Sequence, residues 1–254
     1  MLSTLRSLWA WLAITLLILL WAPIMSVVRL TDRDPARYRT GRWFRRLGSA
    51  MVAANPAWHV VITGRFPTDP RHPYVVVGNH QSLADIPIVS KLPWEMKWLG
   101  KASLFRIPVL GWYMRLSRDL AVERDDRRSR VEVMVQARER LEGKVSVMIF
   151  PEGTRSRDGR VLRFSVGPFR LAIATGCPIL PIALDGSSEA LPKGGWKFGP
   201  PLTVNLHVFD PVPVEGLTGA DARELCERVR TMIVEQIAAW RGVDPALVDG
   251  AGGK

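Results

Sequence analysis

Between Arg6 and Arg29 the chain runs from Ser7 to Val28 without a charged side chain. Leu8 to Val28 matches the roughly 20 apolar residues that a helix needs to cross a bilayer's hydrocarbon core, and Trp9, Trp11 and Trp21 are placed as interfacial anchors. The segment therefore belongs in lipid. Ile24-Met25-Ser26 offers no small-x-small cleavage site, which argues against a removed signal peptide. Pro23 can bend the segment into a re-entrant or half-inserted helix.

Seven arginines follow between Arg29 and Arg46, against only Asp32 and Asp34. A basic flank beside an apolar helix marks the cytoplasmic side, which predicts a membrane protein with the domain that follows on the cytoplasmic face. Tyr38 to Ala54 interleaves these arginines with Trp43, Phe44, Leu47, Met51 and Val52, the pattern of an amphipathic helix lying on anionic lipid; an ordinary solvated basic face is the alternative. Residues 1–56 are read as a membrane anchor. The net charge of +11 calls for an anionic partner. Basic residues concentrated beside an apolar helix fit headgroups better than a duplex, and with no zinc-finger or RNA-recognition signature no nucleic-acid partner is expected.

Residues 57–241 read as one α/β domain, followed by a flexible tail over 242–254. Val60 to Thr63, Val75 to Val77, Met96 to Leu99, Leu120 to Val122, Val145 to Phe150, Ile179 to Leu184 and Leu202 to Phe209 are apolar runs of strand length. Arg130 to Leu141, Phe169 to Thr175 and Ala222 to Trp240 carry apolar residues at helical spacing, and a short helix is expected over Val109 to Leu116. Strands alternating with helices predict a mixed, largely parallel sheet flanked by helices on both faces. Cys177 and Cys226 have neither metal-ligand nor disulfide-framework spacing.

Ligands gather at strand C-termini in such folds, and two polar motifs fall there. The first follows Val75-Val76-Val77-Gly78 as Asn79-His80-Gln81-Ser82-Leu83-Ala84-Asp85. It delivers an imidazole and, five positions later, a carboxylate. Ser82 and Asp85 also read as the cap and acid of a capping box opening a helix, so the pair alone does not establish a reaction centre. The second, Phe150-Pro151-Glu152-Gly153-Thr154-Arg155-Ser156, joins a permissive glycine, a hydroxyl and a guanidinium that grips phosphate bidentately.

Together, in this order and about seventy residues apart, the motifs resemble the glycerolipid acyltransferase family, best known from lysophosphatidic acid acyltransferases. The resemblance runs from Val75 to Leu184. Its first block is complete at Asn79-His80 through Asp85 and its third at Phe150 to Ser156. The second is matched by Leu120-Ala121-Val122-Glu123-Arg124, with Lys101 and Pro108 to Trp112 before it, and the fourth by Pro178 to Ile182. Two departures stand out. Ser117-Arg118 occupies the place of the second block's opening glycine, and Phe164-Ser165-Val166-Gly167 lacks the lysine frequent before the glycine that follows the third block.

The chemistry of these residue types agrees with the resemblance. Moving an acyl group from a thioester to an alcohol needs a base for the hydroxyl proton, a role for His80, with Asp85 holding the other ring nitrogen. The substrate's own hydroxyl takes the place of serine, so no enzyme nucleophile is needed. The resemblance implies transfer from acyl-CoA or acyl carrier protein to 1-acyl-glycerol-3-phosphate, giving phosphatidic acid in phospholipid biosynthesis. Arg155, with Arg124 and Lys101, would hold the acceptor's phosphate, and Glu152, Gly153 and Thr154 would shape the glycerol pocket. It also implies an N-terminal two-helix anchor on the phospholipid surface and no bound cofactor or metal. Glycerol-3-phosphate, another lysophospholipid and a lyso-ornithine lipid are alternative acceptors. A metal-dependent phosphatase would need ligands that His59, His72 and His207 are not spaced to give. A non-catalytic lipid-binding protein would leave the His80 and Asp85 spacing unexplained.

Overall fold

The structure, a computed structural model, describes residues 2–251, Leu2 by its backbone alone. Seven strands form one sheet: β1 (Trp58–Gly64), β2 (Val75–Gly78), β3 (Met96–Lys101), β4 (Leu120–Val122), β5 (Ser146–Ile149), β6 (Ile179–Asp185) and β7 (Leu202–Val208). Their order is β1-β7-β6-β2-β5-β3-β4, and every pairing except β6 with β7 is parallel. The helices are α1 (Leu2–Thr31), α2 (Tyr38–Ala53), α3 (Asp85–Val89), α4 (Leu110–Leu116), α5 (Arg127–Glu142), α6 (Gly167–Thr175), α7 (Ser187–Ala190), α8 (Ala222–Arg241) and α9 (Pro245–Val248).

The three valines of β2 show why so short a run is a strand. Val75 and Val77 join one apolar core with α5, α6 and α8, while Val76 joins another with α3 on the opposite face, and all three are fully buried. Side chains that alternate with period two, both faces covered, make a continuous apolar run an inner strand. Since β2, β5, β3 and β4 are parallel, their C-terminal ends, and the chain segments leaving them, lie along one edge of the sheet.

The apolar helix α1 has the length and composition to cross a membrane, yet it lies along the domain. Ala10 is part of the same core as Val76 and Ile88, and Trp11 and Ile14 pack against that core. Met25 packs with Leu47 and Tyr113. Ser7 Oγ accepts from Phe198 N at 2.9 Å, and Tyr113 donates its hydroxyl to the Ile18 carbonyl. The boundary expected near residue 56 therefore does not separate two cores, because α1 and α2 help to cover one face of the sheet. The outer side of α1 shows Leu5, Leu8, Trp9, Leu12, Leu16, Leu19 and Leu20 to the surroundings.

The polar stripe of α2 differs from the expectation of a helix resting its arginines on lipid. Arg45 turns inward, with Nη2 2.6 Å from Asp119 Oδ2. Glu95 lies beside it, held by Lys97 Nζ at 3.0 Å. All four side chains are buried. Arg42 donates to the Leu92 carbonyl at 2.7 Å. Gly41 permits this close approach, since a Cβ there would sit 1.8 Å from Glu95 Oε1. Amphipathic spacing shows that a stripe is charged but not what will neutralise it; here carboxylates just ahead of β3 and β4 do so.

The expected tail is also folded over residues 242–251. Val248 is fully buried in the core, Arg230 Nη2 lies 2.6 Å from Asp249 Oδ1, and Gly250 N donates to the Val161 carbonyl at 3.0 Å. These contacts join side chains too far apart in sequence for local pattern to reveal. The end of that tail, 252–254, lies outside the described residues.

Replacing Arg45 with leucine strands the buried Asp119 carboxylate. We expect a loss of about 3–5 kcal/mol of unfolding free energy in denaturant titration of the detergent-solubilised protein. Arg128→Leu breaks an exposed pair with Glu132, and its cost should stay below about 1 kcal/mol.

Candidate active site

At the end of β2, Asn79 extends the pairing that the strand's backbone stops making. Its Nδ2 donates to the Leu184 carbonyl at 2.8 Å and its Oδ1 accepts from Leu184 N at 2.9 Å, so the amide stands in for a further peptide on β6. The next residue, His80, is thereby delivered from a fixed point. The residue is 7% exposed, and its ring stacks on Phe150, with centroids 4.0 Å apart and planes at 7°.

Asp85 Oδ2 lies 2.7 Å from His80 Nδ1 and also accepts from Gln81 N at 2.8 Å and Ser82 N at 2.9 Å. The bond from Ser82 N to the same oxygen ties the chain ahead of α3 to the carboxylate that holds the ring, but it is not a capping box. Ser82 itself is not the cap of α3, which begins after Ala84. Its Oγ donates to the Leu191 carbonyl at 2.6 Å and accepts from Ala84 N at 3.1 Å. A carboxylate oxygen only accepts, so Nδ1 carries the proton of the neutral imidazole and Nε2 keeps its lone pair. Nε2 has no hydrogen-bond partner among the described residues.

The second motif grips the first. Glu152 Oε1 accepts from His80 N at 3.0 Å, and Ser156 N donates to the His80 carbonyl at 2.8 Å. Glu152, expected to shape a glycerol pocket, instead sends its carboxyl inward beneath His80. Burial pushes that carboxyl up to about 8, the nearby Asp85 charge adds to the rise, and the His80 N–H opposes it. The turn Phe150 to Gly153, closed by Gly153 N on the Phe150 carbonyl and ending with Gly153 at φ 70°, separates this inward carboxyl from Thr154 and Arg155. Thr154 is exposed, and Arg155 is half-buried.

Arg155 has basic company. It lies close enough to Arg124 for its charge to lower the Arg124 guanidinium further, after burial has done most. Lys193 donates to the Arg155 carbonyl at 2.5 Å and to Thr154 Oγ1 at 3.3 Å. Desolvation, then the charges of Arg157 and Arg155, lower its ammonium. This cation cluster beside the imidazole suits a phosphate. Lys101 ends β3 at the same sheet edge, exposed and without a side-chain hydrogen bond among the described residues. Lys193 escaped the sequence reading because it lies outside every block; its one signal is a lone cation in the Gly-rich loop Pro192 to Gly195. Gln81, whose Nε2 donates to the Gly159 carbonyl at 3.2 Å, was likewise not singled out.

His59, His72 and His207 lie elsewhere, and no cluster of three metal-ligating side chains occurs among the described residues. In the folded chain Glu152 holds its proton up to about pH 8, whereas an unfolded glutamate releases it near 4.5. Stability should therefore fall as pH rises between these values. Glu152→Gln, isosteric with the protonated acid, should match wild-type thermal stability near pH 4 and show a smaller decline from there to pH 8.5 in differential scanning fluorimetry.

The family model described as "Acyltransferase" matches residues 59–185, half of the chain. The chloroplastic 1-acyl-sn-glycerol-3-phosphate acyltransferase of Arabidopsis thaliana is 32% identical over 206 residues, which cover 80% of this chain and 56% of the relative. The namesake enzyme of Haemophilus influenzae is 29% identical, covering 88% of this chain and 90% of its own. The chain thus spans about half the length of the chloroplast relatives and most of the bacterial one. The crystal structure of the 1-acyl-sn-glycerophosphate acyltransferase of Thermotoga maritima superposes with a TM-score of 0.81 at 29% identity, over 94% of this chain and 96% of that one. With the paired imidazole and carboxylate, the cation cluster and the sheet that carries them, these matches place the chain in the acyltransferase family.

Proposed function

We propose that the protein transfers a fatty acyl group from an acyl thioester to the free hydroxyl of 1-acyl-glycerol-3-phosphate, giving phosphatidic acid. The observation that carries this reading is the 2.7 Å contact of His80 Nδ1 with Asp85 Oδ2 at a strand end, which leaves Nε2 as the available base. The names of the relatives support the acceptor.

In this mechanism the acceptor hydroxyl gives its proton to His80 Nε2 as its oxygen forms a bond to the thioester carbonyl. Asp85 stabilises the imidazolium and keeps the ring from turning. The tetrahedral intermediate collapses with cleavage of the C–S bond, and the proton on Nε2 passes to the departing thiolate. Every atom is accounted for without an acyl-enzyme or a resident cofactor. The donor is acyl-CoA or acyl carrier protein, both anionic and suited to a chain of net charge +11.

Arg155, Arg124 and Lys193 hold the acceptor's phosphate, with Lys101 on its outer side and Gly153 and Thr154 at the turn beside it. Glu152 is a positioning residue, acting through the His80 backbone. The outward apolar side of α1 rests in the lipid that supplies acceptor and receives product, with the basic segment after it on the cytoplasmic side.

His80→Ala should reduce acyl transfer to background while the protein remains folded and membrane-bound. Turnover at the wild-type rate would sink the assignment of the base. In an acceptor panel run with both thioester donors, Arg155→Ala should raise KM for 1-acyl-glycerol-3-phosphate at least tenfold, about the worth of one charge-assisted bond, and leave KM for a neutral lysolipid unchanged. Equal changes for both acceptors would remove Arg155 from the phosphate site.

A further inference from the structure

Arg118 occupies the place where the family resemblance expects the second block's opening glycine, and it adopts a glycine's conformation, with φ at 58°. That left-handed backbone is disfavoured for a side chain with a Cβ. The structure shows where the arginine reaches. Its Nη1 donates to the Pro35 carbonyl at 2.5 Å, in the loop between α1 and α2, and its side chain lines a cleft of about 290 Å³ with Arg29, Arg37, Arg115 and Leu116. Arg37 also holds a left-handed backbone, at φ 54°.

The four arginines that line it come from the end of α1, the α1–α2 loop, the last turn of α4 and the turn after it. No acidic residue lines the cleft, although the Asp32 carboxylate lies close enough to Arg37 for that charge to lower it. The hydrogen bonds that Arg37 and Arg118 donate go to backbone carbonyls, those of Asp32 and Pro35. Like charges gathered in one cleft repel unless an anion lies between them, and four planar donor forks suit the oxygens of a phosphate. The surroundings indicate the source. Val27 and Leu30, either side of Arg29, are 61% and 83% exposed, and Ile107 and Trp112, near Arg115, are 43% and 39% exposed. Apolar side chains facing outward beside a basic cleft mark the level where acyl chains meet headgroups.

We propose that this cleft binds a phosphate group, supplied by the headgroup of an anionic phospholipid, and so holds the C-terminal end of α1 at the headgroup plane. It is distinct from the cation cluster beside His80. Trp11 donates to the Trp196 carbonyl, three residues beyond Lys193, and at 1.5 Å per residue the helix from Trp11 to Arg29 is about 27 Å long. A lipid in the cleft is therefore not the acyl acceptor, and the proposal does not rest on the acyl-transfer reading.

The test compares Arg29→Ala/Arg115→Ala with Arg223→Ala/Arg228→Ala, which removes equal charge from α8 on the other face of the sheet. The full chain is diluted from detergent onto vesicles of phosphatidylcholine alone or mixed with phosphatidylglycerol, and flotation reads the bound fraction. The cleft variant should lose about thirtyfold in affinity for the anionic vesicles and the α8 variant no more than about threefold, with binding to neutral vesicles unchanged in both. Equal losses would assign the effect to diffuse surface charge and overturn the site. In neutral detergent, short-chain phosphatidylglycerol should raise the Tm of the wild type and not of the cleft variant. A rise that inorganic phosphate matches at equal concentration would overturn the lipid headgroup as the source, and no rise with either would overturn the phosphate site. Acyl transfer to a detergent-dispersed acceptor should be equal in the two variants.

Discussion

One carboxylate oxygen organises this site. Asp85 Oδ2 gathers the His80 ring nitrogen and the backbone N–H groups of Gln81 and Ser82. Hydrogen bonds to a charged acceptor are each worth about 1.5–3 kcal/mol when buried, so the chain from 80 to 82 is wrapped around the oxygen. The five-residue separation is what such a wrap requires. From the other side, Glu152 and Ser156 fix the His80 peptide, Phe150 supports the ring, and Asn79 fastens the preceding residue to β6. The imidazole is thus over-determined from several directions, as a base that must act in one geometry needs to be.

That wrap works only because parallel strands end together. The topology brings the segments after β2, β5, β3 and β4 to one edge, so an imidazole, a carboxyl, a lysine and two arginines from separate parts of the sequence come to share one edge. The loop after α7 adds Lys193 from the far side of the sheet order. Anchoring follows the same economy. Helix α1 covers the sheet with one side and presents leucines and tryptophan with the other, so the surface that meets lipid and the core that holds the catalytic sheet belong to one body. The buried ion network of Arg45, Asp119, Glu95 and Lys97 sets α2 against β3.

The departure at the second block acquires a physical meaning. Where a glycine would relieve a left-handed backbone, Arg118 accepts the strain, and its side chain closes a cleft of arginines between α4 and the anchor. The missing lysine before Gly167 has no comparable consequence visible in the structure.

The amino-acid sequence by itself determined the elements and the pairing of His80 with Asp85. Apolar runs of strand length, helical stripes and a charge-free N-terminal segment are local properties, and the His80 to Asp85 spacing closes within one turn of chain. Gly176, directly after the apolar stripe of α6, stands at φ 66° as a left-handed helix stop should. Only the tertiary structure decided where polar groups point. Glu152 turned beneath His80, Arg42 and Arg45 turned into the protein, Lys193 joined the cations around Arg155, and the residues after Trp240 folded back onto Arg230 and Val161. Each outcome depends on what a distant element sets opposite the side chain, since a buried charge or hydrogen-bonding group is stable only where a partner meets it, and neither hydropathy nor spacing in the local sequence records that partner.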